Sequence, residues 1–331
     1  MAVAVAVGGV GGAVRLHGLC MPVAVPGCLC PPAAVVEEDG AQRDDAEEEE
    51  HEDHDDHCPA TRLVAAGTAL ALMPAALAAP HSVPHRAHYA MSLLKAQADA
   101  AIAGVAGDMA VIFDRSCDGW SVLQASRMEI DFDEAEPVVS DILFDSEESD
   151  DGTRFRFRYE ERENGESVEL AIAHLDRTSP DRPSKLRFAN PPGVTESVPA
   201  GALLPTAHTE RLLQAAEAGE AFIRAEVLTG SGQDSLSFVS AHIGRPTEIA
   251  ADQDWPSQAG EAADALRTAT VIPMRLAFFK PDDRSETPIY ELLYQIQPNG
   301  VVRRFDIDYG EFAISARLVS VENRPAAEEC N

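Results

Sequence analysis

Residues 153 to 159 read Thr-Arg-Phe-Arg-Phe-Arg-Tyr, a strict alternation that places Phe155, Phe157 and Tyr159 on one side of an extended chain and Arg154, Arg156 and Arg158 on the other. A helix would scatter these rings around its circumference, so the segment folds as a strand with one buried and one wet face. Similar runs recur at 87–94, 108–113, 121–130, 138–144, 167–173, 185–188, 221–228, 236–243, 271–279, 289–296, 301–308 and 312–321. Asp151-Gly152, Asn164-Gly165 and Asn299-Gly300 separate neighbouring runs and supply the positive φ angles of tight hairpins, so the strands are expected to form an antiparallel meander.

One helix is predicted from Thr206 to about Ala218. Pro205 precedes it, Thr206 stands as its N-cap, Leu212, Leu213 and Ala216 form its apolar stripe, and Gly219 sits where a C-terminal cap belongs. A second, weaker helix is expected over 257–267. A flat sheet of a dozen strands would leave its apolar face in water. The expected fold is therefore mainly β, a long antiparallel meander curled into an open barrel around one or two short helices.

The chain before this pattern is of another kind. Residues 1–61 combine an Ala/Val/Gly/Pro stretch with the acidic run 44–57, and neither can offset its ordering entropy by burying apolar surface. His51, His54 and His57 lie three apart in that run and could gather divalent cations, although a solvated charge run is the simpler reading. Arg62 is followed by the 15 apolar or small residues 63–77, and Ala76-Leu77-Ala78 ends the run, as at the small-residue cleavage site of a secretory signal peptide. The run is shorter than the roughly 20 residues that span a bilayer. The expected organisation is thus 1–61 disordered or upstream of the true translation start, 62–78 a signal peptide, and 79–331 a single domain in the periplasm.

Charge excludes one class of partner. The 331 residues hold 26 Lys+Arg against 56 Asp+Glu, a net charge of −30, and 43 acids against 23 bases remain from residue 79 onward. Such a field repels polynucleotides and anionic lipid headgroups, so no nucleic acid is expected to bind. Three arginines on one face of a single strand also argue against a barrel inserted in a membrane.

Four of the six cysteines, Cys20, Cys28, Cys30 and Cys58, precede residue 79, leaving Cys117 and Cys330. In an exported protein two cysteines read as one disulfide, the alternative being two unrelated thiols. Neither stands at Cys-x-x-Cys spacing, so zinc and redox-motif readings are poor.

Catalytic signatures are missing. Gly230-Ser-Gly232 is a short polar loop and not a nucleophile elbow, and there is no P-loop, dinucleotide fingerprint or His-Glu-x-x-His. His81, His85, His88, His174, His208 and His242 show no ligand spacing except His85 and His88, which sit near an expected frayed start. His208 is expected to order the helix entrance together with Thr206. Asp306-Ile-Asp308-Tyr-Gly310-Glu311 lacks positions that a calcium loop requires, and 145–151 reads as a solvated hairpin tip. No catalytic residue, metal or cofactor is assigned.

Several strings, taken in order, resemble a known family: Ser116-Cys-Asp-Gly-Trp120, Asp151-Gly-x-x-Phe155, Leu204-Pro-Thr-x-His208 with Leu212-Leu-x-Ala-Ala216, Thr287-Pro-x-Tyr-Glu291, Asn299-Gly-Val301, Asp308-Tyr-Gly-Glu-Phe312 and a near-terminal Cys330. Over about residues 85–330 the chain is similar to the EipB cell-envelope integrity family. The resemblance implies a periplasmic β-spiral, a disulfide joining Cys117 to Cys330, and no catalytic residues to carry over. The function expected is non-enzymatic support of the cell envelope through an apolar ligand such as a lipid, or through an envelope protein partner. The alternative is a periplasmic hydrolase using His208 and a nearby carboxylate.

Overall fold

The computed structural model describes residues 82–256, 261–281 and 287–325. The expected acidic segment 1–61, the signal peptide 62–78, His81 and Cys330 lie outside the described residues. Eight strands come first: β1 His85–Ala96, β2 Ile102–Arg115, β3 Gly119–Phe132, β4 Val138–Ser149, β5 Arg154–Glu163, β6 Glu166–Asp176, β7 Ser184–Asn190 and β8 Thr195–Val198. A helix, α1 Pro205–Glu217, interrupts the meander. It is followed by β9 Phe222–Leu228, β10 Leu236–Ile243, β11 Thr247–Glu248, the single-turn α2 Glu261–Asp264, β12 Thr270–Phe279, β13 Tyr290–Ile296, β14 Val302–Asp308 and β15 Phe312–Asn323.

Every strand pair is antiparallel, and β1 pairs with β2 on one side and β15 on the other. The sheet therefore runs from β8 through β1 and β15 to β9, a nearly closed barrel with one unsealed seam between β8 and β9. Period-two patterning dictates this curl. One inward row crosses seven strands as His85, Phe113, Val122, Ser146, Phe157, Ala173 and Phe188, and all seven are buried. A second row crosses the other half as Ile223, Ala241, Leu276, Leu292, Ile307 and Ile314, and it too is buried. The alternate positions on β5, Arg154, Arg156 and Arg158, stand exposed and pair with Asp118, Glu147 and Glu160.

Asn164 and Gly165 both take positive φ, 50° and 86°, as the β5–β6 hairpin requires. Two elements escape the sequence pattern: β8 and β11, of four and two residues. Two expectations are corrected. The second helix, expected over 257–267, is only the four residues of α2 among those described. His85, expected near a frayed start, is fully buried between β2 and β15, and its ring lies 5.9 Å from that of Phe113.

Gly119, in the Cys117-Asp-Gly-Trp120 string, faces Ser149 across the β3–β4 ladder. A Cβ there would lie 2.0 Å from the Glu148 carbonyl oxygen, a backbone atom that cannot swing away. Trp120 beside it stacks on Phe113 at 4.4 Å, so the ladder cannot open without unpacking the rings. The Gly119→Ala variant is expected to lose about 3 kcal/mol of unfolding free energy, read as a lower denaturant midpoint, and an unchanged midpoint contradicts this packing.

Candidate functional site

Among the described residues, the seam between β8 and β9 is where the barrel is held by something other than a strand ladder. Three pieces close it: α1, the stretch around Leu203, and the 229–235 loop between β9 and β10. Leu203 forms a single parallel bridge with Val227, donating its N–H to Glu226 O at 2.9 Å and accepting from Leu228 N at 2.9 Å. Across the gap, Glu196 on β8 accepts from Leu236 N at 3.0 Å, and Glu169 on β6 accepts from Gln233 N at 2.8 Å. Burial raises the Glu196 carboxyl above its ordinary range.

The 229–235 loop reaches into the barrel. A Cβ on Gly230 would meet the rings of Phe144, Phe155 and Phe157 at 3.0 to 3.2 Å, and its φ is +74°. Only a glycine backbone lies this close to three aromatic rings. Gly230-Ser-Gly232, a polar loop by sequence, is thus the cover of an aromatic floor.

α1 carries the residues predicted to order its entrance, and the structure changes their roles. The residue at the N-cap is Leu204, with Pro205 in the first turn and no side-chain cap from the helix itself, so Thr206 is not the N-cap. The capping group comes from β4. The Glu148 carboxylate accepts from Thr206 N at 2.8 Å and Ala207 N at 2.9 Å. These are two of the N–H groups that a helix start leaves without intrahelical partners. Burial pushes Glu148 up to about 7, against the pull of its hydrogen bonds from Thr206 and Ala207. The reading of 145–151 as a solvated tip is therefore corrected, because Ser146, Glu148 and Ser149 are buried. No local signal marks Glu148, whose partners lie 58 and 59 residues away.

His208 is buried one turn into α1, and its Nε2 has no hydrogen-bond partner. Burial alone pulls it down to about 4. No carboxylate among the described residues orients the ring, which a hydrolytic base would need. Glu210, on the same helix, accepts from Ser82 N at 2.9 Å and ties the segment before β1 to α1. At the far end, Gly219 N donates to Ala216 O and Glu220 N to Ala215 O, the paired bonds of a Schellman cap, with Gly219 at φ +72°.

Elsewhere, Asp308 accepts from Lys95 at 2.6 Å and from Gly310 N at 2.9 Å, as at a strand end. Among the described residues no group of three His, Cys, Asp or Glu side chains could hold a metal ion, and no helix is long and apolar enough to cross a membrane. Cys117 lies in the turn between β2 and β3.

Comparison with known proteins follows the same boundaries. Residues 76–325 match the EipB-like family. The chain is 28% identical over 249 residues, 75% of its own length and 86% of the relative's, to the cell envelope integrity protein EipB of Brucella abortus (strain 2308). It also superposes with a TM-score of 0.67 and 26% identity on the crystal structure of a beta-barrel-like protein of domain of unknown function DUF1849 from Brucella abortus, covering 75% of this chain and 100% of that one. With residues 76–325 matched and three quarters of its length in common with these proteins, the chain belongs to the EipB-like family.

Proposed function

We propose that the protein is exported to the periplasm and supports the cell envelope there, without catalysis, by holding an apolar ligand behind its seam. The observation that carries this reading is the contact of Gly230 with Phe144, Phe155 and Phe157: a loop covers an aromatic floor at the seam between β8 and β9. Displacing a loop held by Glu169 and Glu196 breaks a few hydrogen bonds, whereas opening a strand ladder breaks a whole row. An acyl chain or other apolar group would then meet rings that are already in place. The relative's description as a cell envelope integrity protein supports the envelope role. The apolar run 63–77 with Ala76-Leu77-Ala78 supports export, and the exposed, ion-paired arginines of β5 support a water-facing outer surface.

The same reading pairs Cys117 with Cys330. Arg324 places both its Nε and a terminal nitrogen on Asp114, at 2.8 and 2.9 Å, three residues before Cys117. Six further residues can span up to roughly 20 Å, enough for Cys330 to reach the β2–β3 turn.

The test is organic extraction of the protein purified from periplasm, with mass spectrometry of the extract, alongside cross-linking in cells. A stoichiometric lipid supports the ligand reading. A cross-linked envelope protein without lipid replaces the ligand by a partner, and neither overturns the holder altogether.

A further inference from the structure

Arg303 on β14 is the largest fully buried side chain, at 0% exposure. Its first terminal nitrogen donates to Ala251 O at 3.3 Å and Gln253 O at 2.7 Å, and its second donates to Thr268 O and lies 3.5 Å from Gln297 Oε1. The guanidinium carbon sits 5.1 Å from the centre of the Trp255 ring. Arg303 thus pins both ends of the segment between β11 and β12 onto the barrel wall, using neutral acceptors throughout.

A buried cation held only by carbonyls is expensive to desolvate. The carboxylates nearby are otherwise engaged: Asp254 accepts from Arg317 at 2.7 Å, and Asp264 sits 3.4 Å from Arg267. Burial disfavours the charged form of Arg303, and the second positive charge of Arg267 adds to this, only partly offset by the Asp254 carboxylate. A guanidinium does not give up its proton in a protein, so the excess charge stays.

The donors around it are also unused. Arg303 Nε, Gln297 Nε2 and Trp255 Nε1 are all buried and all without a hydrogen-bond partner. Gln297 cannot relieve this by turning its amide over, because its Oε1 already accepts from Thr268 N at 2.6 Å and Thr268 Oγ1 at 3.0 Å. All three orphaned groups are N–H donors on residues that Arg303 touches, and a polar group buried without a partner is destabilising.

We propose that the Arg303 pocket, with Gln297 and Trp255, is a binding site for a small inorganic monoanion of chloride size. Donors without acceptors, next to a cation whose hydrogen-bond acceptors are all neutral, match an acceptor-only, negatively charged guest. Complete burial of Arg303 selects a small ion with a low dehydration cost over a phosphate or the carboxylate of a larger ligand. The bound ion locks residues 251–255 and Thr268 to β14 and couples their order to halide concentration.

The test uses bromide and chloride with the protein purified from cells. Crystals grown with bromide in place of chloride are expected to show an anomalous peak bounded by Arg303, Gln297 and Trp255. In solution at constant ionic strength, replacing gluconate by about 100 mM chloride is expected to raise Tm by about 3 °C. The Trp255→Phe variant keeps an aromatic ring under Arg303 and removes one donor, and should raise the half-maximal chloride concentration about tenfold. Ordered water in place of the peak overturns the proposal, as does a peak with no chloride response in solution, which is binding at crystal concentration only. A Trp255→Phe protein that responds like the wild type overturns it too.

Discussion

The Cys117→Ser variant is expected to lose about 5 kcal/mol of unfolding free energy, the chain-entropy value for a crosslink that closes a loop of about 200 residues. Cys117 sits in the β2–β3 turn, and the chain leaving β15 is already carried towards it by Arg324 on Asp114. A crosslink at that point would staple β15 to β2 across β1, which pairs with both. The loss should be read from denaturant curves of the wild type with and without reductant, compared with the variant. Intact mass of the oxidised protein should be two hydrogens below the reduced form. Equal stabilities in all three samples, or two free thiols in protein taken from periplasm, would remove the staple from the account.

The second large effect is in the pH dependence, and its two sources have opposite signs. His208 titrates at about 4 when folded against 6.5 when exposed, so its contribution is fully present above pH 6.5 and is lost as pH falls toward 4. Glu148 titrates at about 7 against 4.5, so the fold holds a proton that the unfolded chain has released, and stability declines as pH rises from 4.5 to 7. Each effect is on the order of 3 kcal/mol. Over pH 4.5 to 6.5 they nearly cancel in the wild type. His85, which burial pulls down to about 4, then leaves a net weakening in acid.

Single variants should separate the two. Relative to wild type, the His208→Gln curve should be nearly flat over pH 4.5 to 6.5, where Glu148 and His85 then offset each other, and the Glu148→Gln curve should rise more steeply with pH, because the two histidines then act unopposed. Unfolding free energies of all three proteins measured across pH 4 to 8 provide the check. Parallel curves would show that neither group is buried as the structure has it.

Local chemistry made much of this legible. The alternation in 153–159 reports a strand because Phe155, Phe157 and Tyr159 need only water and an interior to sort themselves from the arginines. Asn164-Gly165 and Gly219 report turns because few residues tolerate positive φ. What was illegible depends on distance along the chain. Glu148 looks like one acid among several until Thr206 and Ala207 arrive from 58 and 59 residues away. Arg303, beside Arg304, looks like a surface base until Ala251, Gln253, Trp255 and Thr268 pack over its guanidinium. β8 and β11 are too short for a period to show. Thr206 was misassigned because a carboxylate from β4 supplies the cap that its own hydroxyl was expected to provide.

The position of β1 between β2 and β15 has a consequence for how the chain matures. Synthesis from the amino end delivers β1 early and its second neighbour last, with more than two hundred residues between them. Until residues 312–323 arrive, β1 offers bare amides and carbonyls to any passing strand, the template from which intermolecular pairing grows. Nonsense truncation anywhere before β15 leaves that template permanently open, so such fragments should be recovered as aggregates or be removed by proteases, and a holding chaperone would have to shield the nascent form.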